Sequence, residues 1–309
     1  FHEKLDSINW FIREPEAYNS ICQHGINSLF LSSVKFDNNK LKLFDDINAA
    51  IDNSDIVVFC IPSRFLKSVI ADIDLSFKNK KVISAIKGIV PVKNSLASTY
   101  ISNKLGVSKQ NIGIISGPCH AEEVALERLS YLTIASLNED LAKYTADLCS
   151  NYYIKTIISE DVEGIELSAV MKNIMAIAAG VSHGLGYGDN FTSVLIVNAI
   201  QEIKRFLDIV VPRHRDVNLS AYLGDLLVTA YSQFSRNRTF GTMIGKGYTV
   251  KSIELDMNII AEGYTGVNSV MKINQKYNVN LPITQAVYNI LYERVSPFLE
   301  MKLLSEKLR

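Results

Sequence analysis

The stretch that most constrains the fold of this chain is an apolar run at residues 164–180, GIELSAVMKNIMAIAAG. A helix that is apolar on nearly every face is typical of the centre of a large protein. The run is short for a membrane span, and it carries several polar groups. The sequence therefore predicts a helix that is buried in the core.

Lys172 lies at the middle of this predicted helix, and Asn173 follows it. A buried lysine loses hydration, which disfavours its charged form and lowers its pKa. Such a lysine can donate and accept protons near neutral pH. The alternative is a lysine whose long side chain reaches solvent along the helix surface. The run by itself favours neither interpretation.

Composition limits the kind of protein further. The chain has 309 residues, enough for two domains, and 48% of them are hydrophobic. Its formal net charge of zero argues against nucleic acid or an anionic membrane as the main partner,. The four cysteines have neither metal-binding nor disulfide-framework spacing,. Residues 1–10 lack a long apolar core, so we expect no signal peptide and a cytoplasmic protein.

The first half of the chain alternates short apolar runs with amphipathic stretches. The predicted strands are residues 7–12, 55–61, 81–85, 111–115 and 132–135, and the predicted helices are residues 44–53, 65–73, 95–105 and 122–128. This alternation predicts an α/β domain with a doubly wound parallel sheet that is covered on both faces. Such domains bind ligands beyond the carboxyl ends of their strands.

The second half reads as helical throughout. Beyond the buried run, helices are predicted at residues 191–207, 219–231, 262–277 and 283–292. Asp161 is suited to cap the buried helix through its side-chain oxygen. We place the domain boundary near residue 160, which gives a sheet domain at 1–160 and an all-helical domain at 161–309. No flexible linker marks the boundary, so the two domains should pack tightly around the buried helix.

Polar and small residues follow three of the predicted strands: Pro62-Ser63, Lys87-Gly88 and Ser116-Gly117-Pro118. A lysine and tight turns at neighbouring strand ends are suited to grip a cofactor or an anionic substrate. Each turn alone has an ordinary explanation, because glycine and proline mark most strand ends. The occurrence of all three at one edge favours a binding role.

The helical half has its own polar cluster. Asp225 lies within an apolar helix, and Ser235-Arg236-Asn237-Arg238 follows it. Arginine beside serine and asparagine suits bidentate recognition of phosphate or carboxylate. The alternatives are a solvated basic turn for the arginines and a structural partner of a buried amide for Asp225. Glu262 is either a helix cap or a cofactor contact.

These motifs, in this order and spacing, resemble those of the bacterial NAD(P)-dependent glycerol-3-phosphate dehydrogenases, and the resemblance covers essentially the whole chain. They are Ile86-Lys87-Gly88, residues 116–121 (SGPCHA), residues 170–173 (VMKN), residues 224–226 (GDL), residues 235–238 (SRNR) and Glu262-Gly263-Tyr264. The resemblance implies interconversion of dihydroxyacetone phosphate and sn-glycerol 3-phosphate with NADPH or NADH. The product is the backbone of glycerophospholipids.

The resemblance also assigns roles to residues. Lys172 matches the catalytic acid and base. Substrate contacts are implied for Lys87, Gly117, Cys119, Asp225, Ser235, Arg236 and Asn237, and cofactor contacts for Arg13, Lys87, Ala121, Arg236, Ile260 and Glu262. The family often has a hydroxyl residue where this chain has Cys119. Arg13 followed by Glu14 suits both coenzymes, since an arginine accommodates a 2′-phosphate and an acid holds the ribose hydroxyl, and we expect a lean toward NADPH.

One departure concerns the start of the domain. Family members open with a strand and a glycine-rich phosphate loop, which this sequence does not contain, so we expect a sheet that is incomplete at its start. The missing strand and helix correspond to about 20–25 residues, half a βαβ unit. Two alternatives stay open: a related dehydrogenase of another small anionic substrate, and a non-catalytic relic. A homodimer is a candidate assembly.

Overall fold

A computed structural model describes residues 1–91, 93–257 and 261–309. The strands are β1 (Ile8–Phe11), β2 (Ile26–Asn27), β3 (Leu31–Lys35), β4 (Leu41–Phe44), β5 (Ile56–Phe59), β6 (Lys81–Ser84), β7 (Ile89–Val90), β8 (Ser95–Leu96), β9 (Ile112–Ser116), β10 (Ser130–Ser136) and β11 (Ile154–Ser159). The helices of the first half are α1 (Pro15–His24), α2 (Ile47–Asp52), α3 (Leu66–Ala71), α4 (Ala97–Leu105), α5 (Ala121–Ala125) and α6 (Glu139–Cys149). Those of the second half are α7 (Val162–Gly184), α8 (Asp189–Val210), α9 (Asp225–Tyr231), α10 (Arg236–Gly245), α11 (Val250–Met257), α12 (Glu262–Tyr277), α13 (Pro282–Leu291) and α14 (Pro297–Ser305).

The main sheet has five strands in the order β11-β10-β9-β6-β5. Strands β5, β6 and β9 run parallel, as the alternating pattern predicted. Strand β10 runs antiparallel to β9, and β11 runs parallel to β10. The α/β prediction with an all-helical second half is thus confirmed, and the last two strands reverse direction at one edge of the sheet.

A second, two-stranded parallel sheet contains β1 and β4. Its order, β4-β1, followed by β5-β6-β9, matches the Rossmann order 3-2-1-4-5-6 on either side of strand 1,. Among the described residues no strand pairs with the second edge of β1 or of β5. The division between these two sheets therefore lies where the family resemblance places the strand that leads into the glycine-rich loop.

Helix α7 is the buried helix predicted at residues 164–180, and it extends over 23 residues. Every residue from Gly164 to Ser182 is buried. Its length and composition would allow a membrane span, contrary to the expectation from the shorter run, but its most apolar stretch is entirely buried inside the protein. The predicted cap is confirmed, because the Asp161 side chain accepts a hydrogen bond from the Gly164 amide at 3.2 Å.

Helix α10 lies against α7 with backbone in direct contact. A Cβ on Gly180 would overlap the carbonyl oxygen of Arg238, and one on Gly241 would overlap that of Ile177. Glycine pairs spaced four apart on both helices, 180 with 184 and 241 with 245, keep this contact free of side chains,. The start of α10, where Arg236 and Asn237 lie, is therefore held close to the middle of α7.

Candidate active site

Lys172 is buried at the middle of α7, with 5% of its surface exposed. Its Nζ donates to Oδ1 of Asp225 at 2.5 Å and to Oγ1 of Thr229 at 3.1 Å. Asp225 and Thr229 lie one turn apart on α9, so both face α7,. Lys172 therefore bonds inside the protein, and the interpretation of a lysine that reaches solvent is wrong.

The ionisation of this pair follows from its surroundings. Burial lowers the pKa of Lys172 to about 8, although the Asp225 carboxylate acts in the opposite direction. Burial alone would raise the pKa of Asp225, but the ammonium groups of Lys172 and Lys87 keep it below its usual value. An ionised acid beside an ammonium with a pKa near neutrality is an arrangement suited to proton transfer.

Lys87 brings a second positive charge to the same carboxylate. Its Nζ lies 3.4 Å from Oδ2 of Asp225 and donates to the carbonyl of Gly117 at 2.9 Å. The Lys87 side chain is 28% exposed, whereas that of Asp225 is 2% exposed. Lys87 therefore lies between the buried pair and solvent, at the carboxyl edge of the sheet.

Gly117 follows β9 and has a backbone conformation that favours glycine, with φ of 102°,. A Cβ there would lie 2.9 Å from the carbonyl oxygen of Tyr131 on β10. The tight turn presents the Gly117 carbonyl to Lys87. The predicted convergence of the turns after β6 and β9 is thus present in the structure.

A chain of amides ties the two halves of the molecule together. Asn173 donates to the Lys87 carbonyl at 2.9 Å, and Asn237 donates to Oδ1 of Asn173 at 3.0 Å. Oδ1 of Asn237 in turn accepts from the amide of Gly263 at 2.9 Å. These bonds join the β6 turn, α7, α10 and α12. Asn237, predicted as a substrate contact, has its amide engaged inside the protein.

Glu262, at the start of α12, forms a second connection between the two halves of the molecule, to the turn after β5. Its carboxylate accepts from the backbone N–H of Ser63 at 2.8 Å and from the Ser63 hydroxyl at 2.5 Å. A Cβ on Gly88 would overlap both side chains. Burial raises the pKa of Glu262. The sequence motifs at Ser63, Gly88 and Glu262 therefore meet at one point.

Ser235 and Arg236 begin α10. Ser235 is buried, and its hydroxyl accepts from the Arg238 amide at 3.3 Å, so it caps the helix. Arg236 is exposed at the first position of α10. Its charge nevertheless acts on the Glu262 carboxylate, which places it on the side of the site where α10 and α12 meet.

The remaining predicted residues lie in the turn after β9 and at the start of the chain. Cys119 is half-buried, and burial raises the pKa of its thiol, with Lys87 and Asp225 acting on it. Ala121 is exposed at the first position of α5. Arg13 is exposed after β1. Ile260, the other predicted cofactor contact, lies outside the described residues.

Three contacts of the site were not predicted from the sequence. Thr229 holds Lys172, Asn173 holds the Lys87 backbone, and Ser63 holds Glu262. Thr229 could have been found from its position, because a residue four after Asp225 faces the same way on a helix. The partner of Ser63 is 199 positions away in the sequence, so only the fold reveals that contact.

Several of the described residues suit a nicotinamide dinucleotide on the carboxyl side of the sheet, although no glycine-rich phosphate loop is among them. The turns after β5, β6 and β9 lie at that edge, where doubly wound domains bind nucleotides,. The Nε atom of Arg64 is buried there, with no hydrogen-bond partner in the described part of the chain. Arg13, after β1, offers a guanidinium for the adenosine end, and Lys87 and Glu262 lie near the Lys172 end. The fold and this site are those of a two-domain, nicotinamide-dependent dehydrogenase.

Comparison with known proteins specifies the class. Residues 1–142 match the family described as NAD-dependent glycerol-3-phosphate dehydrogenase N-terminus, and residues 161–301 match its C-terminus. The chain is 32% identical to glycerol-3-phosphate dehydrogenase [NAD(P)+] of Staphylococcus carnosus over 97% of this chain and 90% of that protein. The corresponding protein of Streptococcus sanguinis is 31% identical over 90% of this chain and 82% of its own length.

A solved structure of glycerol-3-phosphate dehydrogenase from Coxiella burnetii is similar to the whole molecule. It superposes with a TM-score of 0.89 at 27% identity, covering 97% of this chain and 91% of that one. The chain therefore belongs to the NAD-dependent glycerol-3-phosphate dehydrogenase family.

Proposed function

We propose that this protein interconverts dihydroxyacetone phosphate and sn-glycerol 3-phosphate with NADPH or NADH. The observation that carries the proposal is the cluster of Lys172, Asp225 and Lys87, set between the carboxyl edge of a nucleotide-binding sheet and the helical half. Family membership supports the same reaction. The cytoplasm is the proposed compartment, and the product serves glycerophospholipid synthesis.

Lys172 is the proposed proton donor for ketone reduction. When bound, the nicotinamide supplies the hydride to the carbonyl carbon. Negative charge then grows on the carbonyl oxygen, and the Lys172 ammonium stabilises it and transfers a proton to it. In the reverse direction the neutral amine accepts the proton of the alcohol. A pKa of about 8 allows Lys172 to populate both forms near neutral pH.

Asp225 and Thr229 hold the Lys172 ammonium in position. Two acceptors at 2.5 and 3.1 Å restrict the direction of its protons and keep the buried charge paired,. The third proton is free to face the substrate, because an ammonium has three donors. Lys87 adds positive charge beside the substrate oxygens.

Arg236 is the proposed phosphate ligand. It lies at the start of α10, where the helix dipole and free N–H groups also favour an anion. The guanidinium fork suits phosphate geometry. Cys119, Ser235 and Asn237 stay proposed substrate contacts from the family match, although Ser235 and Asn237 are already engaged within the chain.

The test is an assay of the full-length gene product with each coenzyme. We expect reduction of dihydroxyacetone phosphate, and little reduction of unphosphorylated dihydroxyacetone or of 2-keto acids. Faster turnover of a 2-keto acid would instead establish a dehydrogenase of carboxylated substrates. A folded protein that binds the nucleotide but reduces none of these substrates would indicate a non-catalytic relic.

A further inference from the structure

The turn that follows β9 lies against the start of α9. The Gly117 carbonyl accepts a hydrogen bond from Nζ of Lys87, which also contacts Asp225. A Cβ on Gly224, the residue before Asp225, would lie 3.8 Å from the Pro118 ring. The turn is therefore fixed beside the carboxylate that holds the Lys172 ammonium.

His120 ends this turn and contacts the helical half of the molecule. Its ring lies 6.3 Å from the ring of Phe234, centroid to centroid, at an angle of 55°. This separation is within the range of aromatic contacts. Phe234 lies two residues before Arg236, the proposed phosphate ligand. The charge of Lys172 also acts on the imidazole. His120 therefore lies between the Lys172 end and the Arg236 end of the site.

One nitrogen of the His120 ring is buried without a partner. The residue as a whole is half-buried, but its Nε2 atom is buried and has no hydrogen-bond partner within residues 1–91, 93–257 and 261–309. The Nε2 edge of the ring thus faces the interior of the protein. Buried polar atoms are rarely left unpaired, so the geometry points to an atom of a bound molecule as the partner of Nε2.

The charge state of His120 limits what that atom is. Burial lowers the pKa of His120, and the ammonium groups of Lys172 and Lys87 act in the same direction, against the carboxylates of Glu122 and Glu123. The imidazole is therefore neutral near neutral pH. Phosphate is bound best by cations, whereas a neutral ring nitrogen suits a hydroxyl group, which both donates and accepts hydrogen bonds.

Dihydroxyacetone phosphate carries a ketone, a phosphate and one free hydroxyl. Lys172 is placed for the ketone oxygen and Arg236 for the phosphate, which leaves the hydroxyl to be bound. We propose that Nε2 of His120 binds this hydroxyl and makes the enzyme selective for a hydroxymethyl ketone. The inference rests on the proposed function and deepens it, because it names the part of the substrate that His120 recognises.

A substrate that lacks the hydroxyl tests this contact. Hydroxyacetone phosphate keeps the ketone and the phosphate but has a methyl group in place of the hydroxymethyl group. His120→Phe keeps a ring against Phe234 and removes Nε2. It should lower kcat/KM for dihydroxyacetone phosphate by about 3- to 10-fold, the effect of a lost hydrogen bond between neutral groups. It should leave kcat/KM for hydroxyacetone phosphate nearly unchanged, and His120→Gln should recover part of the loss.

Ser116→Ala is the matched control, because the Ser116 hydroxyl is also buried without a partner in the described part of the chain. Ser116 is the last residue of β9 and lies opposite Thr133 on β10, with 2% of its surface exposed. Its removal should leave the ratio of the two kcat/KM values as in the wild type.

Three results would overturn the inference: equal losses for the two substrates in His120→Phe, no loss in that variant, or the same selective loss in Ser116→Ala. Reduction of dihydroxyacetone phosphate by the full-length wild type tests the proposed function separately. That function stands or fails whichever way the ratio in His120→Phe falls.

Discussion

Helix α7 buries two ionisable side chains, Glu166 and Lys172, whose surroundings differ. They lie about 9 Å apart along the helix axis, and they are 2% and 5% exposed. Burial raises the pKa of Glu166 to about 7 and lowers that of Lys172 to about 8. By burial and titration alone, the two residues would be equal candidates for a catalytic group.

The hydrogen-bond partners of Glu166 and Lys172 distinguish the two residues. The Glu166 carboxylate accepts hydrogen bonds from the backbone N–H of Ser98 at 3.0 Å and from the Ser98 hydroxyl. It therefore caps the N-terminus of α4. Lys172 bonds Asp225, which also contacts the partly exposed Lys87. A shifted pKa therefore does not identify a site. A catalytic site is instead identified by several charged groups that converge and that have access to solvent.

Removal of Lys172 should give the largest effect. Lys172→Ala should lower kcat for dihydroxyacetone phosphate by about 100-fold or more, because a positioned acid or base contributes at least that much. Glu166→Gln is the matched variant on the same helix and should keep kcat close to that of the wild type. Steady-state assays with circular dichroism on both variants make the comparison. A Lys172→Ala enzyme with near-normal kcat would end the catalytic assignment.

Arg236 should affect substrate affinity more than turnover. Arg236→Ala should raise KM for dihydroxyacetone phosphate by roughly 10- to 100-fold, since a hydrogen bond to a charged group contributes about 1.5–3 kcal/mol. Activity on unphosphorylated dihydroxyacetone should hardly change. Arg238→Ala, two residues along the same helix, is the control. Equal losses for both substrates would show that Arg236 does not bind the phosphate and acts on another part of the site.

Thr229 should have a smaller effect through Lys172. Thr229→Val keeps the shape of the side chain and removes the acceptor of the 3.1 Å bond. A hydrogen bond of about 0.5–1.5 kcal/mol corresponds to a decrease in kcat of roughly 2- to 10-fold. KM should change little, because Thr229 contacts the lysine and not Arg236. A change confined to KM would show that Thr229 contacts the substrate instead.

Glu166 should affect stability and not chemistry. An unperturbed glutamate has a pKa of 4.5, and the pKa of Glu166 in the fold is about 7, so the folded state holds its proton more tightly. Its contribution to stability is present below pH 4.5 and is lost as pH rises through about 7,. The loss is of the order of 3 kcal/mol, at about 1.4 kcal/mol per pH unit.

Urea unfolding across this pH range measures that loss. Glu166→Gln cannot titrate, so its stability should lack the wild-type decrease between these pH values. Parallel pH profiles for the two proteins would mean that the pKa of Glu166 is the same in the folded and unfolded states. The activity of Glu166→Gln serves as a check that the site at Lys172 is undisturbed.

The sequence predicted the parts of this molecule whose signal is local. The α/β alternation, the buried helix, its Asp161 cap and the bounds of α12 are all set by short-range pattern and capping,. Helix α10 was missed, because its polar start reads as a turn and its two glycines lower helix propensity,. Those glycines serve the contact with α7, which only the tertiary structure shows.

In the candidate site, too, one part was predicted from sequence motifs and the other part is revealed only by the fold. Lys172, Asp225 and Lys87 were named from motifs, and the structure brings them together. The bonds that position them, from Thr229, Asn173 and Ser63, join elements far apart in the sequence. Spacing places Thr229 on the same helix face as Asp225,. No periodicity or spacing encodes the partners of Asn173 and Ser63, since they depend on how the two halves of the chain pack.

The pH dependence of the reaction tests the central claim most directly. The measurement is kcat/KM for reduction of dihydroxyacetone phosphate, in the full-length wild type and in Lys172→Ala. Because the ammonium is the proton donor, wild-type reduction should fall as pH rises through about 8, and oxidation of glycerol 3-phosphate should rise over the same range. The residual activity of Lys172→Ala should lack this step. The same step in Lys172→Ala, or none in the wild type, would contradict Lys172 as the acid.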